Sequence, residues 1–309
     1  MQIYLPIAEL PVNIFMILSM GGVVGFLSGM FGIGGGFLLT PLLIFTGIPP
    51  AVAVATVTTQ VIASSFSGVL TYWRSKSIDF PLAFVLLCGG IMGSALGVWL
   101  FSVLRALGQL DLTISIAYVS FLTLIGGLMM VESVRAMLHS HSGKPATLRR
   151  PGQHNWVHRL PFKVRFRRSR LYVSIIPIAG LGITIGFLGA VLGIGGGFIM
   201  VPALIYLLCV PTNVVIGTSL VQILATMVVA TVLQAVSNQS VDALLALILM
   251  IGGVVGAQFG AHLGQHLRGE QLRALLALVV LVVGMRFAID LVLEPTDLYS
   301  LSILSEGGQ

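Results

Sequence analysis

Charge is the first thing this chain lacks. Only 8% of its 309 residues are Asp, Glu, Lys or Arg and 57% are hydrophobic, where a soluble domain carries about 25% charged residues. That shortage excludes an ordinary water-exposed globule and requires most of the surface to face lipid. Cysteine is scarce too. Cys88 and Cys209 both sit among apolar neighbours, which argues against a disulfide framework or a cysteine metal cluster. The opening stretch, MQIYLPIAELPVNIF, has no basic n-region and no small-residue cleavage site, so no secretory signal is read in it.

What charge there is lies in one place. The formal balance is +6, yet nine Lys or Arg and no acid fall between His139 and Arg170. Apolar blocks long enough to cross a bilayer flank this run on both sides. The positive-inside rule therefore puts it on the cytoplasmic side, and nucleic acid is not expected as a partner. Trp156, Phe162 and Phe166 interleave with the cations, as in a segment resting on anionic headgroups. The expected organisation is an N-terminal transmembrane repeat over 1–138, a basic cytoplasmic loop over 139–170, and a C-terminal transmembrane repeat with a short tail over 171–309.

Glycine, by contrast, is abundant, and it is clustered. Gly25–Pro41 reads GFLSGMFGIGGGFLLTP and Gly186–Pro202 reads GFLGAVLGIGGGFIMVP. Each Gly inside a helix costs roughly 0.5–1 kcal/mol relative to Ala, and a broken helix in lipid leaves backbone groups without partners. Such a break, made twice, points to a ligand. A half-helix starting at Gly34-Gly35-Gly36 or Gly195-Gly196-Gly197 presents free N–H groups and the positive end of its dipole, a design for an oxyanion. Close helix packing is the competing reading, and it is the one adopted for the downstream series Gly89, Gly93, Gly97 and Gly252, Gly256, Gly260.

Polar residues in the spans repeat as well. Thr56, Thr58, Thr59 and Gln60 follow Pro49-Pro50, while Asn213, Thr218, Ser219 and Gln222 follow Pro211. Hydroxyl and amide donors at these positions would complete a shell around a sulfonate or similar anion; interhelical hydrogen bonding is the alternative. Asp79 and Asp242 open matching spans, as helix N-caps or, in a sharper reading, as proton-coupling groups. The expected fold is an all-α polytopic membrane protein of two homologous halves, each with a glycine-broken helix hairpin. If each broken block crosses once, the halves are parallel; if each is a hairpin, they are inverted. Charge bias favours inversion.

The remaining candidates are weak. His262 and His266 are spaced for one helix face but read as interfacial, and His139, His141, His154 and His158 read as loop residues, so no metal is expected. Glu132, Arg286 and Asp290 read as pairing or snorkelling groups near span ends. No P-loop, nucleophile–base pair or cofactor motif is present, so neither an enzyme nor a cofactor is expected. A homo-oligomer stays open.

The duplicated GxGGGxxxxP, with Ile216-Gly217-Thr218-Ser219-Leu220 and the GxxxGxxxG segments downstream, resembles the TauE/SafE family of membrane anion exporters. The first half departs from the GTSL form with Val54-Ala55-Thr56-Val57-Thr58. The resemblance implies a prokaryotic inner-membrane permease that exports sulfite, sulfoacetate or a related organosulfur anion. An anion channel, or a permease for another small anion or carboxylate, is the alternative.

Overall fold

The structure, a computed structural model, describes residues 2–31, 34–74, 78–141, 163–166, 171–208, 212–264 and 269–292. Ten α-helices carry the fold among these residues: α1 (Ile14–Phe31), α2 (Gly36–Phe45), α3 (Pro50–Arg74), α4 (Phe80–Ala106), α5 (Leu110–His141), α6 (Ile175–Leu192), α7 (Gly197–Leu208), α8 (Thr212–Leu233), α9 (Ala243–Gly264) and α10 (Gly269–Val292). Six are long and apolar enough to cross a membrane, namely α3, α4, α5, α6, α8 and α9. The protein is an all-α, multi-pass membrane protein.

Two small antiparallel hairpins add to this plan. β1 (Gln2–Leu5) pairs with β2 (Leu10–Asn13), and β3 (Lys163–Phe166) pairs with β4 (Leu171–Ser174). Each runs into the helix that precedes a glycine break, and Ser174 caps α6 by accepting from the Ile176 N–H. The second hairpin occupies the end of the stretch expected to be loop, and α5 continues to His141. The remaining cations of that stretch, His154, His158 and His266 lie outside the described residues, and the side chains of His139, His141, Glu132, Asn213 and Asp290 outside the described side chains.

Helix directions follow from the contacts. The Asp242 N–H, just before α9, donates to the Thr56 hydroxyl near the start of α3. The Asp79 N–H, at the N-cap of α4, donates to the Thr218 hydroxyl near the start of α8. A short connection joins the end of α3 to α4, so α3 and α9 begin at one end of the molecule and α4 and α8 at the other. Equivalent helices, α3 with α8 and α4 with α9, thus run in opposite directions.

Two glycine seams pair helices across the halves. Gly21, Gly25 and Gly29 of α1 press on Leu249, Gly253 and Ala257 of α9; Gly89, Gly93 and Gly97 of α4 press on Ala179, Ile183 and Phe187 of α6. Both series ascend together, so each pair is parallel. A Cβ on Gly93 would overlap the Ile183 carbonyl oxygen, and one on Gly256 would overlap that of Gly22. Such backbone-on-backbone packing suits helices that gain little from apolar burial in lipid. Because α1 runs with α9 and α6 with α4, each glycine-broken block returns to the end where it entered. Both are hairpins.

At its far end α8 widens into a π turn over Gln234–Asn238. Asn238 donates to the Gln234 side-chain oxygen (2.7 Å) and accepts from Ser102, while Arg105 of α4 binds the Asn238 carbonyl and the Ser240 hydroxyl. The one polar cluster of this size among the described residues therefore ties the ends of α4 and α8 together.

Candidate functional site

The breaks have a common backbone geometry. Gly34 and Gly35 take φ of 90° and 65°, and Gly195 and Gly196 take 75° and 76°. Left-handed backbone costs an L-residue roughly 1–2 kcal/mol, so two such residues in a row call for glycine. The turn lets α2 begin at Gly36 and α7 at Gly197. The Gly35 carbonyl then accepts from the Leu38 and Leu39 N–H groups, and the Gly196 carbonyl from those of Ile199 and Met200. First-turn N–H groups have no partner within their helix, and the positive end of the helix dipole lies there.

The two breaks meet. A Cβ on Gly36 would overlap the Gly193 carbonyl oxygen, and Val61 of α3 lies beside Gly34, Gly36 and Gly195 alike. Phe37 and Phe198, the second residues of the two half-helices, stack with ring centroids 4.5 Å apart and planes 13° from parallel. Two helix N-termini are thus brought together around one point of α3. The C-terminal end of α6 lies at the same place, with its Gly193 carbonyl oxygen against Gly36, so helix poles of both signs meet there.

Three buried side chains of α3 and α8 have polar atoms without partners, and one of them lies beside the first break. The Ser65 hydroxyl is fully buried, has no hydrogen-bond partner, and lies 3.9 Å from a Cβ built on Gly34. Gln60 and Gln222 are also fully buried, and neither amide atom of either side chain has a partner. Each amide rests on a glycine of the other half's seam: Gln60 on Gly253, Gln222 on Gly90. An unsatisfied buried donor or acceptor costs about 1–3 kcal/mol. Five such atoms are left without a partner from the protein's own groups among the described residues.

The hydroxyls read from the sequence are engaged differently. Thr59 donates to the Thr56 carbonyl, Ser219 to that of Ile216, and Thr58 bonds both the Ala55 carbonyl and the Thr231 hydroxyl of α8. Thr56 and Thr218 accept the cross-half bonds from Asp242 and Asp79 already described. Asp242 caps α9: one carboxylate oxygen accepts from Leu244 and Leu245, and the other from the Ile7 N–H. Asp79 holds the N-cap position of α4 and is buried. Asn213 lies in the first turn of α8. The structure therefore gathers the glycines and Val61 at the centre and sets Thr56 and Thr218 toward opposite ends.

Several residues here were not singled out from sequence. Ser28 lies within 3.2 Å of a Cβ built on Gly35, and the Tyr118 hydroxyl donates to the Leu192 carbonyl that ends α6. Ser65 carries no motif. Its only mark is a difference between the halves, since alignment of Gln60 with Gln222 sets it opposite Met227.

Comparison with known proteins agrees with this architecture. Residues 17–287 match the family described as Sulfite exporter TauE/SafE. The chain belongs to that family. Among its relatives, Probable membrane transporter protein YjnA of Bacillus subtilis (strain 168) is 30% identical over 273 residues, covering 87% of this chain and 98% of its own. A Probable membrane transporter protein of Xylella fastidiosa (strain 9a5c) is 28% identical over 282 residues, covering 88% and 94%. Sulfite exporter TauE/SafE family protein 3 of Arabidopsis thaliana is 31% identical over 139 residues, covering 42% of this chain and 29% of its own. No solved structure matches significantly. As a TauE/SafE member, the chain is a membrane transporter, and that family is a transporter family rather than an enzyme family.

Proposed function

We propose that this transporter exports a small sulfur-containing oxyanion, such as sulfite, sulfoacetate or a related organosulfonate, from the cytoplasm of a prokaryote across its inner membrane. The observation that carries the reading is the convergence of two half-helix N-termini at Gly36 and Gly197 beside buried polar groups that have no partner. Gly34, Gly35, Gly195, Gly196 and Gly197 supply backbone donors, Gly36 closes the turn by donating its N–H to the Gly34 carbonyl, and Gln60 and Gln222 supply amides, with the nearby hydroxyls ordering α3 and α8. The choice of a sulfur anion rests on the family, Sulfite exporter TauE/SafE.

The two halves in this reading are inverted repeats, a common plan in secondary transporters. Opposed directions of α3 and α8 support it, because single crossings by the broken blocks would have set Thr56 and Asp242 at opposite ends. Alternating access then exposes the central site to one side at a time, with the basic loop toward the cytoplasm and its anionic headgroups. An inside-negative potential favours export by about 2.3 kcal/mol per charge per 100 mV. Asp242, already holding three N–H groups, serves here as a cap; proton coupling at Asp79 and Asp242 is the competing role.

Flux in proteoliposomes tests the proposal. Purified protein is offered sulfite, sulfoacetate, sulfate and a small carboxylate, with and without imposed pH and voltage gradients. Saturable sulfur-anion flux that responds to voltage is expected. A protein that moves none of these anions has another substrate class, and non-saturable flux makes it a channel. Flux that follows an imposed pH gradient at zero voltage returns the two aspartates to a coupling role.

A further inference from the structure

We infer that Gln60 and Gln222 are two separate waiting places for the anion, one on each side of the glycine breaks, and that each serves one face of the membrane. This rests on the reading of the breaks as an anion site and adds the steps by which the anion enters and leaves it.

The register of α3 against α8 supplies the geometry. The Thr58 hydroxyl bonds that of Thr231, and a Cβ on Gly68 would lie 2.9 Å from the Leu220 Cδ1. The two helices are therefore antiparallel, and counting along them from either contact sets Gln222 level with Phe66 or Ser67 of α3. Gln60 stands six or seven residues from that level, about 9–10 Å along the pair at roughly 1.5 Å per residue. Val61 and Ser65, the α3 residues beside the breaks, fall between the two levels. Gln60 is thus displaced toward the end where α3 begins, which carries the β1–β2 hairpin. Gln222 is displaced toward the end where α8 begins, which carries β3–β4.

The amides also rest on different partners. The Gln60 Nε2 lies 2.5 Å from a Cβ built on Gly253 of α9, and the Gln222 Nε2 lies 2.7 Å from one built on Gly90 of α4. Each of those glycines is at the same time a seam residue, Gly253 against Gly25 of α1 and Gly90 against Gly186 of α6. One amide therefore closes on the α1–α9 pair and the other on the α4–α6 pair. Both side chains are fully buried, and none of their four amide atoms has a partner. A glutamine whose task was to bind helices together would spend those atoms on a neighbour, and unpaired polar groups at membrane depth mark substrate paths. A motion that draws one helix pair away from α3 or α8 uncovers one amide and leaves the other shut. An amide offers two N–H donors and no charge, so it holds the oxygens of an oxyanion and releases them again, as successive weak sites on a path must.

The test is sided labelling in membrane vesicles of both orientations, with Cys88 and Cys209 replaced by Ala. Gln60→Cys and Gln222→Cys, in protein that inserts, are exposed to a membrane-impermeant anionic methanethiosulfonate. Gln109→Cys, exposed in the turn after α4, marks the β1–β2 face. Gln60→Cys is expected to react at least about tenfold faster from the face of Gln109→Cys, and Gln222→Cys from the opposite face, because the reagent meets only molecules open to its side. Sulfoacetate should slow both reactions. Equal reaction from both faces, or both cysteines reacting from one face, merges the two places into one shell and overturns the inference while anion transport stands. Two cysteines that never react are packing residues, which overturns it as well. So does sided reaction that sulfoacetate leaves unslowed, if wild-type protein moves sulfoacetate. Wild-type protein that moves no anion removes the proposed function itself, a result read from flux alone, and the inference falls with it.

Discussion

The two glycine breaks share a backbone and differ in what surrounds it. Both place consecutive left-handed glycines before a half-helix, and both have a buried glutamine on the following long helix. Around the first break two serines join the valines: Ser28 lies against Gly35 with Val24, and Ser65 against Gly34 with Val61. At the equivalent places around the second stand Gly189 and Met227, whose Cβ position and thioether methyl lie 2.9 Å apart. The backbone is what both sides of the site need in order to present N–H groups. On the proposed reading the serines would make the site directional, with hydroxyls on one side of the anion and a thioether on the other.

The largest expected effect breaks both sides. Gly35→Leu and Gly196→Leu should each lower anion flux more than a hundredfold in protein that still inserts, because the side chain adds left-handed strain of about 1–2 kcal/mol and occupies the site. Wild-type flux in both would reduce the breaks to packing. The alanine versions separate the sides by stability. A Cβ on Gly196 would lie 2.3 Å from the Ile185 Cγ2, while one on Gly35 meets the Ser28 Cβ at 2.9 Å and its hydroxyl at 3.2 Å. Gly196→Ala should therefore lower the unfolding temperature in detergent more than Gly35→Ala, and the reverse order would mean that the second break is the looser one.

Next come the glutamines, where the two sides should behave alike. Gln60→Leu and Gln222→Leu should raise thermal stability, by removing unsatisfied groups that cost about 1–3 kcal/mol each, while flux falls roughly tenfold. Stability and flux moving together would make the amides structural. Ser65→Met copies the second side onto the first, and about a tenfold loss of apparent substrate affinity is expected for one hydrogen bond to a charged group. Met227→Ala should stay near wild type; equal losses in both variants would erase the difference between the sides. The smallest effect belongs to Thr56→Val and Thr218→Val. Each removes one cross-half hydrogen bond worth about 0.5–1.5 kcal/mol, read as matched drops in unfolding temperature with flux little changed.

Much of this was legible in the sequence because duplication acts as an internal control. The spans, the glycine breaks, the buried glutamines and the Asp79–Asp242 pair all recur at matching places. The pairing of helices was not legible. In a soluble protein an apolar stripe marks the buried face of a helix, but in lipid the outer face is apolar too. Nothing in the pattern of α1 therefore reveals that it packs on α9. The engagement of Thr58 with Thr231 was hidden for the same reason, as were the opposed directions of α3 and α8. Ser65 was missed because duplication was the guide, and Ser65 is a place where the halves differ.

The glycine seams carry one more consequence, and it is mechanical. Where the carbonyl oxygen of one helix fills the space a neighbour's Cβ would need, the two helices can neither slide nor rotate against each other without a clash. They travel as a single rod. One rod joins α1 to α9 and the other joins α4 to α6, so each draws one helix from either side of the central basic stretch. Any rocking motion must divide the molecule along a line that the order of the sequence does not follow. Severing the polypeptide in its central basic stretch would cut neither rod, and the two fragments would remain laced into one machine.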